Sequence, residues 1–226
     1  MARERLAEGR QVHRDAHEAI VPGTLGGMTP PAHGAHATTG LLLAAGAGRR
    51  YGRPKALVDT GSGPWVLRAV RDLLDGGCPE VLVVTGAVAE DVEALLHGLG
   101  DPRVSATRCG TWEQGMGESL RAGLTALVTR GRTVPGRVLV HLVDLPDVGP
   151  GVVGRVLASA AGGSDVLARA AYDGRPGHPV LLGRDHWQAV LDEARGDAGA
   201  RAYLRRAAPY LVECGDLATG ADVDVP

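Results

Sequence analysis

Short apolar runs alternate with amphipathic segments from Gly40 to the end of the chain, and this alternation limits the folds that are available. The apolar runs have the length of buried strands, whereas the segments between them carry apolar residues at helical spacing. Strands that alternate with helices build βαβ units, in which helices cover both faces of a mainly parallel sheet. The 226 residues suffice for one such α/β domain and leave little room for a second.

The boundaries of these elements follow from glycine, proline and the change of period. We predict strands at 41–45, 81–85, 103–108, 138–143, 165–170, 179–182 and 210–213. We predict helices at 64–74, 89–97, 117–129, 151–160, 185–194 and 198–207. Residues 1–38 are rich in Arg, His, Pro, Gly and Ala without periodicity, so we predict a disordered N-terminal extension before a domain that spans 39–226.

Composition argues against several classes of function. The net charge of −2 provides no general electrostatic attraction to nucleic acid or to an anionic membrane. No apolar run approaches the roughly 18 residues that span a bilayer. The three cysteines are widely spaced and form no CxxC pair, so neither a disulfide framework nor a zinc site is indicated. We therefore expect a cytoplasmic protein without nucleic-acid or membrane partners.

A glycine-rich segment, LAAGAGRRYGRPK, occupies residues 43–55 directly after the first predicted strand. Glycines allow a tight turn and a close approach to a ligand, and the backbone N–H groups of such a turn can hold phosphate oxygens. Lys55 is the only lysine among 24 basic residues, and its compact ammonium suits a phosphate where a planar guanidinium would not fit. With Arg50 it supplies the positive charge that a triphosphate requires. The alternatives are chance retention of the lysine and an ordinary βα turn with solvated arginines.

Two familiar glycine motifs fit this segment poorly. The dinucleotide fingerprint GxGxxG would need glycine at Tyr51 and an acidic residue at the end of the second strand, where the chain reads Val84-Thr85-Gly86. The GxxxxGK[ST] phosphate loop is absent, because the dipeptide Gly-Lys does not occur in the chain. The segment therefore predicts a third kind of phosphate loop.

Carboxylates follow the most apolar predicted strand and recur at the C-terminus. Asp144 comes directly after that strand, where α/β sheets bind ligands, and Mg²⁺ prefers carboxylate, phosphate and water oxygens. The alternative is that Asp144 is a turn residue, whereas Asp147 is the better candidate for the cap of the following helix. Asp222 and Asp224 alternate on an extended segment, so they share a face and either could reach the metal.

The segment at 43–55 resembles the LAAGxSxRxGxxK signature of the MobA-like nucleotidyltransferases. Five further motifs resemble this family in its order: W…GMxxSLxxG at 112–123, D-x-P at 144–146, GHPV at 177–180, GDxGAR at 196–201 and D-x-D-T-P at 222–226. The resemblance covers residues 39–226, and GHPV, GDxGAR and Ala45 are similar to the molybdenum cofactor cytidylyltransferase branch. The chain departs from the pattern at Gly48, where serine is usual, at Cys109, where asparagine is common, and at Val225, where threonine is usual.

The resemblance implies a single Rossmann-like three-layer domain of the nucleotide-diphospho-sugar transferase type. It implies that CMP passes from CTP to a phosphate acceptor, such as a molybdopterin-type cofactor, with release of pyrophosphate. Catalysis would fall to Lys55, Arg50 and Asp144, and the cofactor Mg²⁺ would bind to Asp144 and Asp224. The expected nucleotide-binding residues are Leu43, Ala44, Ala45, Gly46, Ala47, Gly48, Arg50, Lys55, Thr85, Gly115 and Ser119. The expected acceptor-binding residues are His178, Asp197 and Arg201.

The resemblance also leaves alternatives open. His178 either positions the acceptor or is satisfied in the turn before Pro179, since an ionised phosphate needs no general base; His141, inside an apolar strand, is predicted to be a core residue. A molybdoenzyme or its chaperone is a further expected partner. The chain also resembles the nicotine blue oxidoreductases, so NAD(P)H-dependent reduction is a rival, as is a non-catalytic nucleotide-binding protein. GTP or a sugar phosphate acceptor remains open within the transferases.

Overall fold

The computed structural model describes residues 38–130, 134–159 and 162–224, all of which belong to one compact unit. The predicted N-terminal extension, residues 1–38, lies outside the described residues except for Thr38, which begins the first strand. Residues Val225 and Pro226 of the C-terminal motif also lie outside them.

Seven strands and six α-helices are described. The strands are β1 (Thr38–Leu43), β2 (Glu80–Thr85), β3 (Val104–Arg108), β4 (Arg137–Leu142), β5 (Leu167–Tyr172), β6 (Arg175–Gly183) and β7 (Tyr210–Glu213). The helices are α1 (Trp65–Asp75), α2 (Ala89–Leu99), α3 (Met116–Thr129), α4 (Pro150–Ala158), α5 (Trp187–Glu193) and α6 (Arg201–Ala207). Short 3₁₀ turns occur at Lys55–Leu57, Trp112–Gln114, Arg184–His186 and Gly196–Ala198. None of the helices in these ranges is long and apolar enough to cross a membrane.

The sheet lies between two helical layers, as the apolar runs predict. In β1, Leu42 faces a core cluster formed with α1, α2 and α4, whereas Leu41 and Leu43 face a second cluster formed with α3, α5 and α6. Each of these leucines is at most 7% exposed, because successive side chains of a strand point to opposite faces. The prediction of a three-layer α/β domain is therefore confirmed.

The strand order is β3-β2-β1-β4-β6-β5-β7, and β1 is the central strand around which the chain reverses direction. From β1 the chain proceeds outward to β2 and β3, and it then returns to place β4 on the other side of β1. Leu43 and Leu142, the last residues of β1 and β4, are paired neighbours. Ligands of open α/β sheets bind at such a reversal, outside the carboxyl ends of the strands. The segments 44–55 and 143–147 both leave the sheet at this point.

One strand runs against the others. β6 is antiparallel to β4 and β5, and it spans nine residues where the sequence predicts only 179–182. A two-residue turn at Asp173 and Gly174 joins β5 to β6, and both residues have positive φ, 51° and 73°. Asn-Gly and Asp-Gly turns of this kind match the twist of a hairpin. The sheet is thus mainly parallel, as predicted, with one hairpin that the element assignment missed.

Candidate active site

The glycine loop after β1 is fixed by the conformation of Gly48. Its φ is +62°, and a Cβ added there would lie 1.9 Å from the carbonyl oxygen of Arg53. The serine that is usual at this position in similar sequences therefore does not fit this loop. On the far side of the loop, Tyr51 is buried against Trp65 of α1, with ring centroids 5.7 Å apart. The loop is held at both ends, so its backbone faces the crevice between β1 and β4.

Lys55 emerges from the 3₁₀ turn at the end of the loop and lies between two carboxylates. Its Nζ donates to Oδ2 of Asp144 at 2.9 Å and to Oδ1 of Asp224 at 2.7 Å, and its side chain is only 12% exposed. Burial lowers the pKa of Lys55, but the bonds to Asp224 and Asp144 outweigh burial and raise it above the ordinary value. The same contact lowers the pKa of Asp224. Lys55 is therefore a permanent cation at the reversal point.

Arg50 adds a second cation on the solvent side of this group. Its Nη1 donates to Oδ2 of Asp224 at 2.6 Å, and its side chain is 81% exposed. An exposed guanidinium can release such a partner at low cost, because exposed ion pairs contribute little. Arg50 can therefore exchange Asp224 for a phosphate oxygen of a ligand.

Three carboxylates converge beside Lys55. Ligand oxygens of Asp144, Asp222 and Asp224 all lie within 4.8 Å of one another. An all-oxygen, all-anionic donor set of this kind fits a hard divalent cation such as Mg²⁺. The sequence left open which of Asp222 and Asp224 reaches the metal, and the structure brings both beside Asp144. We call Lys55, Asp144, Asp222 and Asp224 the carboxylate cluster.

The C-terminal segment is held in place by two contacts near Asp144. The backbone N–H of Val223 donates to the carbonyl oxygen of Asp144 at 3.1 Å. Thr219 donates to Oδ2 of Asp147 through its N–H at 2.7 Å and also through its hydroxyl. The prediction that Asp147 caps the next helix is wrong, because α4 begins after Gly149 without a side-chain cap. Asp147 instead ties down the segment that delivers Asp222 and Asp224.

A cavity of about 370 Å³ opens over the glycine loop. The cavity is lined by Asp224 and by ten other residues that were predicted for nucleotide binding, metal binding or catalysis: Leu43, Ala45, Gly46, Ala47, Gly48, Arg50, Lys55, Gly115, Ser119 and Asp144. Trp112, Glu113 and Met116 line it as well. The N-terminal end of the 14-residue helix α3 borders the cavity. This end of a helix favours anions, because the helix dipole is positive there.

Two predicted nucleotide-binding residues are not brought into this cavity. Ala44 is 2% exposed and faces the core, and its N–H donates to the carbonyl oxygen of Val84. Thr85 is fully buried, and its hydroxyl donates to Oε1 of Glu93 at 3.0 Å. The resemblance placed both in the nucleotide-binding set, but alternation along β1 and β2 turns their side chains away from the cavity.

A larger cavity of about 760 Å³ adjoins the first and shares Lys55, Asp144 and Asp224 with it. The three residues predicted to bind the acceptor, His178, Asp197 and Arg201, all line it. Asp197 lines both cavities. Lys55 and Asp144 therefore face one common space with room for two ligands that meet at the carboxylate cluster.

His178 lies on β6 as a half-buried residue of the larger cavity. Burial, with help from Arg169, His141 and Arg201, lowers its pKa to about 3. The ring is therefore neutral at physiological pH. It can hydrogen-bond a ligand in the cavity but contributes no positive charge to it. His141 is 1% exposed, so the prediction of a core histidine is confirmed.

Sequence reasoning missed Arg169. This residue lies in the middle of β5 and lines the larger cavity, and its Nε and Nη2 donate to the carbonyl oxygen of Gly177 at 3.0 and 2.8 Å. An arginine inside an otherwise apolar strand, Leu167–Tyr172, was the available signal. A lone charge in a buried strand is unusual and points to a partner or a ligand.

Several known proteins are similar to this chain. The chain is 41% identical over 197 residues to the nicotine blue oxidoreductase of Paenarthrobacter nicotinovorans, which covers 82% of this chain and 91% of that protein. A solved nucleotidyl transferase from Methanothermobacter thermautotrophicus superposes with a TM-score of 0.68 at 22% identity, over 84% of this chain and 92% of that one. A manganese complex of Rv0371c from Mycobacterium tuberculosis superposes with a TM-score of 0.60 at 22% identity, over 84% and 91%.

These structures share the single-domain α/β fold of the nucleotide-diphospho-sugar transferase type with this protein. The family model of the MobA-like NTP transferase domain matches residues 40–210, which include the glycine loop, β4, Asp144 and the β5–β6 hairpin. The chain therefore belongs to the MobA-like NTP transferase family of nucleotidyltransferases.

Proposed function

We propose that this protein transfers CMP from CTP to a phosphate-bearing small molecule and releases pyrophosphate. The observation that carries the proposal is the carboxylate cluster, which opens onto both cavities through Lys55 and Asp144. The smaller cavity would hold the triphosphate, and the larger one would hold the acceptor. The reaction would take place where the two cavities meet.

The reaction needs alignment and charge neutralisation rather than a covalent intermediate. An oxygen of the acceptor phosphate would attack the α-phosphorus of CTP, and the bond from that phosphorus to the bridging β-oxygen would break. The attacking phosphate is already ionised, so no general base is required. Transfers of this kind depend mainly on positioning and on electrostatic stabilisation.

The residues of the site divide these tasks. The loop backbone around Gly46 and Gly48, with Arg50, would hold the β- and γ-phosphates. Lys55 would lie between the α-phosphate and the incoming acceptor phosphate, with its charge secured by the raised pKa. Asp144, Asp222 and Asp224 would hold a divalent ion, Mg²⁺ or the Mn²⁺ found with the Mycobacterium tuberculosis relative, which would neutralise the polyphosphate charge.

The acceptor we favour is a molybdopterin-type cofactor phosphate. The segments at 177–180 and 196–201, which resemble the cytidylyltransferase branch, supply His178, Asp197 and Arg201 to the larger cavity. The expected macromolecular partner is a molybdoenzyme or its chaperone, in the cytoplasm. Cys78, Cys109 and Cys214 are free thiols in the described structure, which is compatible with a reducing compartment.

Thermal shift and pyrophosphate release test this function. The full chain is screened with CTP, GTP, ATP and UTP, with and without Mg²⁺, because a ligand that binds the native state raises the melting temperature by mass action. We expect the largest shift with CTP and Mg²⁺, and pyrophosphate release only when a pterin phosphate acceptor is added. No shift with any nucleoside triphosphate would overturn the proposal.

A second candidate function is an NAD(P)H-dependent reduction, which the name of the 41% identical relative favours. The structure offers little for a dinucleotide at the usual place. An acid does lie beside the end of β2, but Glu93 accepts from Thr85 and forms a bidentate pair with Arg108. That carboxylate is therefore not free to bind a ribose in the manner of dinucleotide folds. The loop also carries buried Tyr51 where the fingerprint needs glycine.

The two functions are separated by spectrophotometry at the absorbance of reduced nicotinamide. NADH and NADPH are supplied with an oxidised dye and the full chain, and the decay is compared with that of an Asp144→Ala variant. Turnover that Asp144→Ala leaves intact would favour the reductase. Absence of turnover, together with CTP-dependent pyrophosphate release, would favour the transferase.

A further inference from the structure

Two arginines line the larger cavity, and neither forms an ion pair with a carboxylate of the described residues. Arg169 uses Nε and Nη2 on the carbonyl oxygen of Gly177, which leaves Nη1 available. Arg201, the first residue of α6, is exposed and makes no hydrogen bond or ion pair with any residue of the described ranges. We call Arg169 and Arg201 the arginine pair.

Both members of the pair line the same cavity, and their like charges interact there. Burial and the charge of Arg201 both lower the pKa of Arg169, and no carboxylate of the described structure offsets them. The same two arginines lower the pKa of His178. Like charges held together in a partly desolvated place are costly unless a ligand of opposite charge binds there.

The larger cavity carries two groups of charged residues in addition to Asp197. Asp144, Asp222 and Asp224 gather within 4.8 Å of one another and are partly neutralised by Lys55 and Arg50. The arginine pair lines the same cavity from β5 and α6. A divalent cation is attracted to the first group, whereas an anion is attracted to the second.

We propose that the arginine pair is an anion site of the larger cavity that recognises a phosphate or carboxylate group of the second substrate, other than the phosphate that would react at the carboxylate cluster. Guanidinium groups suit such oxyanions because their N–H groups are fixed in a planar fork. The volume of about 760 Å³ leaves room for a ring-bearing molecule attached to that anionic group. That the ligand is an acceptor for CMP rests on the proposed function, whereas the anion site itself does not.

Titration of the full chain with simple anions tests the site. Inorganic phosphate and benzoate are the two probes, and their dissociation constants are measured by calorimetry without metal. We compare wild type with Arg201→Gln, Arg169→Gln and the double variant. The matched control is Arg175→Gln, because Arg175 is an exposed arginine of β6 that does not line either cavity. A second control is Lys55→Gln, which reports anion binding at the glycine loop.

We expect Arg201→Gln to weaken the binding of at least one probe by about tenfold, the usual effect of one charge-assisted hydrogen bond. The double variant should bind still more weakly, whereas Arg175→Gln should bind as wild type does. A loss confined to phosphate identifies a phosphate site, and a loss confined to benzoate identifies a carboxylate site. Unchanged binding of both probes in Arg201→Gln, or an equal loss in Arg175→Gln, overturns the proposal.

Two features keep this test decisive. Arg169→Gln also removes the bonds to Gly177 and could unfold the β5–β6 hairpin, but Arg201 is exposed and makes no such bond, so Arg201→Gln alone decides the outcome. The nucleotide screen of the wild type is independent of it. If Arg201→Gln weakens anion binding but the wild type binds no nucleoside triphosphate, the anion site is supported and the proposed function is overturned. If the wild type uses CTP but Arg201→Gln binds both probes as the wild type does, only the anion-site proposal is overturned.

Discussion

The carboxylate cluster and the arginine pair line one cavity but hold their charges differently. In the cluster, Lys55 lies between Asp144 and Asp224, and Arg50 pairs with Asp224 from the solvent side. In the pair, neither Arg169 nor Arg201 forms an ion pair within the described residues. The first region is stable as it stands, because each cation is compensated within the protein. The second is compensated only when a ligand arrives, so the two regions differ in whether the fold or the substrate supplies the counter-charge.

Removal of a charge from the carboxylate cluster should have the largest effect. We expect Asp144→Ala and Lys55→Ala each to lower the rate of pyrophosphate release from CTP by on the order of 10²–10³, since both act where charge develops. Asp192→Asn is the matched control, because Asp192 is an exposed carboxylate of α5 that lines neither cavity. Near-normal turnover of Asp144→Ala would contradict the assignment of this region to catalysis.

Acid should act on a buried histidine of β4 at a higher pH than on the carboxylate cluster. Burial lowers the pKa of His141, on β4, from 6.5 to about 4. Between these two pH values the unfolded chain binds more protons than the native chain. His141 should then lower the free energy of unfolding by about 3 kcal/mol as pH drops from 6.5 to 4, in addition to the decline that the lowered pKa of His178 causes over the same range. The pKa of Asp224 is lowered by Lys55, so its contribution is lost only at still lower pH. Chemical denaturation across this range measures the slope.

The control for this prediction is a second histidine. His141→Leu should reduce the decline between pH 6.5 and 4 to the part that His178 causes, whereas His97→Gln should leave it unchanged, because His97 is exposed on α2. Equal slopes in His141→Leu and wild type would show that His141 does not contribute to the loss of stability in acid.

Gly48→Ser tests how closely the first region is built around its loop. Serine is usual at this position in similar sequences, yet the φ of +62° and the overlap with Arg53 should cost roughly 1–3 kcal/mol and weaken CTP binding accordingly. Gly52→Ser is the matched control, because Gly52 has a φ of +84° but no atom within 4 Å of an added Cβ. Melting-temperature shifts with CTP compare the two, and a stronger shift in Gly48→Ser would refute the steric argument.

Thr219→Val should have the smallest effect. The hydroxyl bond to Asp147 helps to hold the segment that carries Asp222 and Asp224, and one such bond contributes about 1 kcal/mol. We expect Mn²⁺ to bind about fivefold more weakly, as measured by paramagnetic resonance, and higher metal concentration to restore the rate. Thr125→Val on α3 provides a control outside both cavities. A loss that excess metal does not rescue would point to a role other than metal delivery.

The hairpin shows where local patterns gave incomplete predictions. Asp173-Gly174 is a hairpin signal that the element prediction did not use, and only the apolar end of β6, residues 179–182, was predicted as a strand. The strand forms because β4 and β5 pair with it from both sides. By contrast, the strand Tyr210–Glu213 was predicted with the observed bounds, because an apolar run after a helix can be recognised from neighbouring residues alone.

For this protein the sequence by itself determined the alternation of strands and helices, the glycine loop, the position of Asp144 after β4, and the family. These properties depend on periodicity, backbone freedom and short motifs within a few neighbouring residues. Only the tertiary structure decided that Lys55 meets Asp224 across 169 positions, that Asp147 binds Thr219, and that Thr85 is buried while Arg169 lines the cavity. Such contacts arise from strand order and packing between distant segments, which no local pattern encodes.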